Sequence, residues 1–173
     1  MKNYKSQLKN ITTFIFDYDG VLTDGTVVLT NDGDFLRTAN VKDGFAMQLA
    51  VKKGFNVAII SGGRSDTIRK RFLVLSIHDV FLGVDSKIDV FHKYLKDHYL
   101  KSEEVLYLGD DIPDLKPMME VGIAACPADA AEEIKSISHY ISHLKGGQGC
   151  ARDVIEQVMK AQGKWMTDDS FTW

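Results

Sequence analysis

The feature that most constrains the fold is a regular alternation between short apolar runs and amphipathic helical segments. The apolar runs are rich in β-branched and aromatic residues, as is typical of strands buried on both faces of a parallel sheet. They occupy Thr13–Phe16, residues 57–60, 80–82, Val105–Leu108 and 122–125. The segments between them carry apolar residues on one helical face. This alternation predicts an α/β fold built on a doubly wound, mostly parallel, Rossmann-like sheet.

One stretch departs from the alternation. Residues 26–30 and 35–40 read as two strands on either side of a polar turn with a glycine, which predicts a β-hairpin that projects from the end of the sheet. The chain has no internal repeat or linker, and 173 residues suffice for one well-buried core. We therefore predict a single domain, 1–173, with a hairpin flap at about 26–40 and a C-terminal glycine-rich segment and tail at 146–173.

The charge balance argues against a nucleic-acid or membrane partner. The chain has 21 Lys and Arg residues and 24 Asp and Glu residues, for a formal net charge of −3, so no basic field covers it. No apolar run reaches the roughly 18 residues that a membrane-spanning helix needs. Cys126 and Cys150 lack CxxC spacing, which favours free thiols in a reducing compartment. We expect a cytoplasmic protein that binds neither nucleic acid nor membrane.

Two carboxylates come directly after the first predicted strand, in the sequence Asp17-Tyr18-Asp19-Gly20. In open α/β sheets, ligands bind beyond the carboxyl ends of the strands. Carboxylates at i and i+2 in such a place can converge on one cation, one through its side chain and the other through its backbone carbonyl. Asp-x-Asp alone is equally compatible with two solvated acids in a loop.

A second acidic motif follows the predicted strand Val105–Leu108 and reads Gly-Asp-Asp-Ile-Pro-Asp. Its three acids, gathered beside the first two, would repel one another strongly unless a divalent cation neutralised them. Oxygen-only ligands favour Mg²⁺ over zinc. We predict Mg²⁺ as the cofactor, with Asp17, Asp19 and Asp110 as direct ligands and Asp111 and Asp114 orienting a ligand and a nearby lysine. Asp114 could instead simply favour the N-terminus of its helix.

A hydroxyl and an ammonium complete the set of candidate catalytic residues. Ser61 follows the predicted strand at 57–60, and Lys87 lies at the start of a later helix. Aimed at the oxygens of a transferring phosphoryl group, they would supply preorganised charge stabilisation. Taken singly, Ser61 is more often a turn residue and Lys87 a solvated lysine. Their order along the chain, together with the two acidic motifs, points to phosphoryl transfer.

That order, Asp-x-Asp-Gly, Ser, Lys and Gly-Asp-Asp-x-x-Asp, resembles the haloacid dehalogenase superfamily of phosphatases over roughly residues 12–125. The resemblance implies a double displacement in which Asp17 attacks phosphorus and becomes an aspartyl phosphate. Asp19 would protonate the leaving alkoxide and then take a proton from the hydrolytic water. Most relatives carry a cap domain over the site, and the intervals between these motifs leave no room for one.

A narrower resemblance covers nearly the full length. The chain is similar to the capless members of the superfamily that hydrolyse 3-deoxy-D-manno-octulosonate 8-phosphate in lipopolysaccharide precursor synthesis. The motifs lie at 21–25, 40–44, 59–64, 109–114 and 146–152. The resemblance implies a small phosphorylated sugar acid as substrate and a homotetramer with active sites shared between subunits. Ser61 departs from the Thr of many members, and Gly63 stands where some carry Arg.

The carboxylate of such a substrate needs a cation. Arg64 and Arg71 are the candidates, because a guanidinium binds a carboxylate through two hydrogen bonds. Arg71 lies on a predicted helix with alternating Lys and Arg, where the ordinary interpretation is a solvated face. Thr23 and Gly62 are the remaining candidates for substrate binding.

Three alternative functions remain, and the first two share every catalytic residue. A phosphatase for a nine-carbon keto-deoxy sugar acid or another small metabolite would differ only in its specificity contacts. A phosphomutase would return the phosphate rather than release it. A receiver-type signalling domain also combines an acceptor Asp with acidic Mg²⁺ ligands, a hydroxyl and a lysine. In a receiver, however, the paired acids precede the acceptor, and no second acid follows it by two residues.

Overall fold

A sheet of six parallel strands forms the centre of the computed structural model, which describes residues 4–171. Numbered along the chain, its strands are β1 (Thr13–Phe16), β4 (Asn56–Ile60), β5 (Asp79–Phe81), β6 (Val105–Leu108), β7 (Ile123–Cys126) and β8 (Tyr140–Ile141). Their order across the sheet is β5-β4-β1-β6-β7-β8. The five predicted strands are confirmed to within one residue at each end. The sequence did not indicate β8, which is only a two-residue edge strand.

Helices cover both faces of the sheet, which confirms the doubly wound α/β fold. They are α1 (Val41–Lys52), α2 (Asp66–Val74), α3 (Lys87–Asp97), α4 (Leu115–Met118), α5 (Glu132–Ile137) and α6 (Cys150–Ala161). Helices α1, α2 and α6 pack into one hydrophobic core, whereas α3, α4 and α5 pack into the other. Among residues 4–171, no helix is long and apolar enough to cross a membrane.

The central strand β1 is buried on both faces, as its unbroken apolar sequence predicted. Phe14 and Phe16 point into the core formed with α1, α2 and α6, and Ile15 points into the opposite core. All three side chains are fully buried. Because successive side chains of a strand point to opposite faces, both layers of helices depend on this one strand.

The connections place a crevice at one edge of the sheet. From β1 the chain passes through α1 to β4 and then to β5, on one side of β1. Helix α3 then carries it back to β6, which pairs with β1 on the other side. In open α/β sheets, ligands bind outside the carboxyl ends of the strands where the strand order reverses in this way. The ends of β1 and β6 form such a point.

The predicted hairpin is present but shorter than the sequence indicated. Its antiparallel strands are β2 (Val28–Leu29) and β3 (Phe35–Leu36), joined by a turn with Gly33 at φ +84°. The hairpin forms a separate two-stranded sheet. Its four strand side chains are between 53% and 71% exposed. It therefore presents an apolar surface that the other residues of the described range 4–171 do not cover.

The C-terminal segment has two parts with different neighbours. Gly147 packs against the loop after β1, where its N–H donates to the Val21 carbonyl at 2.9 Å. The tail folds back onto its own chain, with Lys164 Nζ 4.3 Å from the centre of the Phe55 ring. Phe55 directly precedes β4, so the tail lies near the amino ends of the strands, opposite the crevice. Residues 172 and 173 lie outside the described part.

Candidate active site

The predicted catalytic residues come from separate elements and meet at the carboxyl edge of the sheet. Asp17 and Asp19 follow β1, Ser61 follows β4, Lys87 begins α3 and Asp110 follows β6. Together with Gly62, Asp111 and Asp114, they line one cavity of about 610 Å³. The wall is acidic on the β1 and β6 side, and the β4 loop closes the other side.

The core of the site is a buried ion-pair network around one ammonium. Lys87 Nζ lies 2.8 Å from Asp17 Oδ1 and 2.7 Å from Asp114 Oδ1. The hydroxyl of Tyr107 also donates to Asp114 Oδ1, at 2.7 Å. These four side chains are at most 10% exposed. Asp114 therefore holds Lys87 against Asp17, and Tyr107 in turn holds Asp114.

Burial and like charge perturb the carboxyls of this network. Burial, reinforced by the charge of Asp114 and opposed by Lys87, raises the pKa of Asp17 to about 6. Burial and the charges of Asp17 and Asp114 raise the pKa of Asp110 to about 8. Burial alone would lower the pKa of Lys87, but the charges of Asp114 and Asp17 outweigh it and raise that pKa. Without a cation, these acids resist being ionised together.

Oxygen atoms of Asp17, Asp110 and Asp114 lie within 4.8 Å of one another, close enough to share a metal ion. Asp110 Oδ1 and Asp114 Oδ2 are buried and have no hydrogen-bond partner within the described residues. Unsatisfied buried carboxylate oxygens are costly, and a divalent cation in this cluster would satisfy them directly or through the waters it keeps. Gly20, at φ +87°, makes this approach possible, because a Cβ there would overlap the carboxylate of Asp110. The residues present fit Mg²⁺.

Asp19 is held differently from the other acids. Its carboxylate is one-third exposed and lies against Arg37, which follows β3 of the hairpin. Arg37 Nε donates to Asp19 Oδ1 at 2.5 Å, and Arg37 Nη2 donates to Asp19 Oδ2 at 3.0 Å. Asp19 is therefore held by a cation outside the buried network while it lines the same cavity.

The β4 loop supplies a small hydroxyl and two glycines to the cavity wall. Ser61 is buried, and its Oγ accepts a hydrogen bond from the Gly63 N–H at 3.0 Å. Gly62 and Gly63 both line the cavity. Since glycine has no side chain to occupy space, a substrate can approach the backbone of this loop closely.

Other predicted residues sit away from the reacting groups. Thr23 is fully buried, and its hydroxyl accepts from the N–H groups of Gly20 and Gly25 at 3.3 and 3.2 Å. It holds the loop after β1 and does not line the cavity, and its role as a substrate contact stays a prediction. Asp111 lines the cavity, but its side chain accepts from the Ile112 N–H at 2.8 Å and does not contact Lys87.

The two candidate arginines also lie outside the cavity wall. The side chain of Arg64 is 77% exposed and lies 3.8 Å from Asp85 at the rim. Arg71 packs over Gly44 at the start of α1, where a Cβ would come 2.5 Å from Arg71 Nη2. Arg71 lines a separate small pocket with Tyr18 and Asn40, and its role in binding the substrate stays a prediction.

Two residues of the site were missed by the sequence analysis. Tyr107 carried a usable signal, because a phenol in a strand buried on both faces needs a hydrogen-bond partner. Arg37 carried none, since only the fold brings the end of the hairpin to the loop after β1.

The chain is similar to known proteins in both sequence and fold. The chain is 34% identical over 155 residues to the 3-deoxy-D-manno-octulosonate 8-phosphate phosphatase of Yersinia pestis, a match that covers 90% of this chain and 83% of that protein. The crystal structure of the Yersinia pestis enzyme superposes with a TM-score of 0.92 at 32% identity, covering 94% of this chain and 88% of the other.

A second structure carries ligands. The 3-deoxy-D-manno-octulosonate 8-phosphate phosphatase of Moraxella catarrhalis, solved in complex with a magnesium ion, a phosphate ion and a KDO molecule, superposes with a TM-score of 0.91 at 31% identity. The superposition covers 95% of each chain. No protein-family model matches the chain.

Proposed function

The chain belongs to the 3-deoxy-D-manno-octulosonate 8-phosphate phosphatases of the haloacid dehalogenase superfamily, and we propose that it hydrolyses this sugar acid phosphate through an aspartyl phosphate on Asp17. The products are the free eight-carbon sugar acid and inorganic phosphate. We further propose that this reaction serves lipopolysaccharide precursor synthesis.

One observation carries the proposal: the buried carboxylate of Asp17 is fixed 2.8 Å from Lys87 Nζ, beside carboxylate oxygens that lack partners. A fixed carboxylate next to a cation is suited to attack phosphorus, because phosphoryl transfer needs mainly positioning and charge stabilisation. Hydrolysis of a phosphate ester is the function that fits this geometry best.

The reaction divides into two displacements at phosphorus. In the first, an oxygen of Asp17 forms a bond to phosphorus while the bond to the sugar oxygen breaks, and Asp19 gives its proton to that leaving oxygen. In the second, Asp19 takes a proton from a water that attacks the phosphorus of the aspartyl phosphate, which releases phosphate and restores Asp17. Lys87 and the hydroxyl of Ser61 stabilise the negative oxygens of the phosphoryl group in both steps.

We propose that Mg²⁺ is held by the side chains of Asp17 and Asp110 and by the backbone carbonyl of Asp19. Asp114 lies against Lys87, so its role is to position that ammonium beside the nucleophile. When bound, Mg²⁺ neutralises part of the charge shared by the phosphate oxygens and the acidic cluster.

For the carboxylate of the substrate we propose Arg64. It follows Gly62 and Gly63, which line the cavity, and its largely exposed side chain can turn toward a ligand in the opening. Its partner in the structure, Asp85, is itself 95% exposed and so holds it only weakly.

We also propose that the protein acts as a cytoplasmic homotetramer with active sites shared between subunits. The exposed apolar side chains of the hairpin support association, since such a surface is seldom left open to water. The two cysteines are both free and buried, which fits a reducing compartment.

The substrate proposal predicts a clear preference in a panel of phosphate esters. With Mg²⁺ present, kcat/KM for 3-deoxy-D-manno-octulosonate 8-phosphate should exceed that for glucose 6-phosphate by at least about tenfold, because a guanidinium pairs with the carboxylate only in the acid. Arg64→Ala should shrink this ratio by slowing the sugar acid alone. Steady-state phosphate release measures both.

Two outcomes would count against the proposal. A higher kcat/KM for a nine-carbon keto-deoxy acid phosphate would keep the phosphatase and replace its substrate. Equal rates for all esters, including phosphoserine, would remove the argument from the carboxylate.

A further inference from the structure

Arg37 binds the carboxylate of Asp19, the proposed acid/base group, through two hydrogen bonds. Its guanidinium meets both carboxylate oxygens of Asp19, at 2.5 and 3.0 Å. Its remaining terminal nitrogen, Nη1, donates to the carbonyl of Phe35 in β3 at 3.1 Å. The side chain is 14% exposed, although it arises from an otherwise exposed hairpin.

We infer that Arg37 is a positioning residue for Asp19 and that the hairpin is therefore part of the catalytic apparatus. The inference rests on the proposed function, in which Asp19 moves the protons. Arg37 fixes the plane and direction of the Asp19 carboxylate, while its contact with Phe35 anchors the guanidinium to the hairpin backbone.

The geometry of the pair supports this role. A guanidinium is a rigid planar fork, so two parallel hydrogen bonds to one carboxylate set both the distance and the plane of that group. A lone exposed ion pair would leave the Asp19 side chain free to rotate, because surface pairs are weak. Asp19 has no other side-chain partner among the hydrogen bonds of the described residues. Its orientation therefore depends on Arg37.

The position of the pair in the chain makes the contact specific to this fold. Arg37 lies between β3 and Asn40, whose side chain caps α1 by accepting from the Lys42 N–H at 2.8 Å. Both ends of the short segment 37–40 are thus tied down, one to the acid/base residue and one to the first helix. A guanidinium placed in this way can hold Asp19 in one direction toward the cavity.

The alternative is that Arg37 only fastens the hairpin or binds the substrate directly. A positioning role makes a distinct prediction, because the protonation of the leaving group matters for alkyl esters and scarcely for p-nitrophenyl phosphate. The experiment therefore compares Arg37→Ala and Arg37→Lys on 3-deoxy-D-manno-octulosonate 8-phosphate, glucose 6-phosphate and p-nitrophenyl phosphate. Rates are measured in single turnovers with enzyme in excess, so that slow esters remain measurable.

We expect Arg37→Ala to lower the rate for both alkyl esters by the same factor, about 10- to 100-fold, since small misplacements of a catalytic group cost this much. The p-nitrophenyl ester should change by less than about threefold. Arg37→Lys should recover only part of the loss, because an ammonium cannot hold both oxygens in one plane. Arg69→Ala, which removes the same charge from an exposed position of α2, is the matched control and should leave all three rates unchanged.

A double substitution tests the mechanism of the effect. If Arg37 acts through Asp19, adding Arg37→Ala to Asp19→Asn should lower the alkyl ester rate by less than about twofold further. Independent, multiplying losses would overturn the inference. So would unchanged or faster alkyl ester hydrolysis by Arg37→Ala, and so would a loss confined to the sugar acid, which would make Arg37 a substrate contact. An unmodified enzyme that hydrolyses no ester would instead refute the proposed function.

Discussion

The carboxylates of Asp17, Asp110 and Asp114 lie close together, and the ammonium of Lys87 lies beside them. Asp17 and Asp114 each contact Lys87, whereas Asp110 keeps a buried oxygen without a partner. The pair of contacts leaves the cluster with excess negative charge, which burial makes more costly. At the scale of single residues, the site is built to need a cation and to hold its nucleophile ready for one.

This charge imbalance predicts an unusual dependence of stability on pH. The pKa of Asp17 is raised from 3.8 to about 6 and that of Asp110 from 3.8 to about 8. Between its unfolded and its folded pKa, each of these carboxyls binds more protons in the folded metal-free protein than in the unfolded chain. The free energy of unfolding should therefore fall as pH rises from about 4 to about 8. Mg²⁺ binds the ionised folded form, so it should raise the melting temperature more at pH 8 than at pH 5.

Calorimetry at a series of pH values, with EDTA or with Mg²⁺, measures the effect. Asp110→Asn is the control and should flatten the slope above about pH 6 while it abolishes the Mg²⁺ shift. Asp43, whose pKa burial raises to about 6, keeps some slope below that point in either protein. A metal-free melting temperature that climbs from pH 6 to pH 8, or a Mg²⁺ shift independent of pH, would contradict this account.

At the scale of structural elements, the loop after β1 is supported from behind by the glycine-rich segment. Gly147 donates its N–H to the Val21 carbonyl at 2.9 Å, and its own carbonyl accepts from Asn40 Nδ2 at 3.1 Å. A side chain at Gly147 would come within 2.7 Å of the backbone of Thr23 and Asp24. The segment is therefore shaped to fit the loop that carries the nucleophile.

Gly147 and Gly163 form a matched pair that tests this support. Both have φ +67°, but a Cβ at Gly163 would have no neighbour within 4 Å. Gly163→Ala should cost only the strain of a left-handed residue, about 1–2 kcal/mol. Gly147→Ala should cost more and should also lower kcat, because it displaces the loop of Asp17. Urea unfolding and steady-state kinetics measure the two effects. Equal stability losses with unchanged kcat in both variants would remove this role from the segment.

Much of this arrangement could be predicted from the sequence, because strand ends are local features. The apolar runs indicate where β1, β4 and β6 end, and parallel strands bring those ends to one edge of the sheet. The convergence of Asp17, Ser61 and Asp110 follows from that alone. The contact of Arg37 with Asp19 does not, since it depends on how the hairpin folds back.

Individual side chains outside the strand ends were harder to assign. Thr23 is a predicted substrate contact, and in the structure its hydroxyl accepts hydrogen bonds from two N–H groups of its own loop. Arg64 precedes α2 and Arg71 lies within it. Only the packing of the folded chain shows that Arg71 turns toward Gly44. Such choices depend on competition among nearby partners, which spacing does not encode.

At the scale of the whole molecule, the hairpin exposes apolar side chains that a second subunit could bury. Leu29 is 71% exposed on β2, and Val74, at the end of α2 and not part of the hairpin, is 73% exposed. If hairpins join the subunits, Leu29→Lys should dissociate the assembly, because a buried lysine without a partner is strongly disfavoured. Val74→Lys should not. Sedimentation velocity distinguishes the two, and an unmodified enzyme that is monomeric and fully active would refute both the tetramer and the shared sites.

The central claim is that Asp17 and a bound Mg²⁺ together hydrolyse a sugar acid phosphate. Its most direct test is the release of phosphate from 3-deoxy-D-manno-octulosonate 8-phosphate by the unmodified enzyme and by Asp17→Asn, each with Mg²⁺ and with EDTA. We predict rapid release only by the unmodified enzyme with Mg²⁺, and a rate below about a thousandth of that value for Asp17→Asn. Comparable release by Asp17→Asn, or release that EDTA does not affect, would contradict the account.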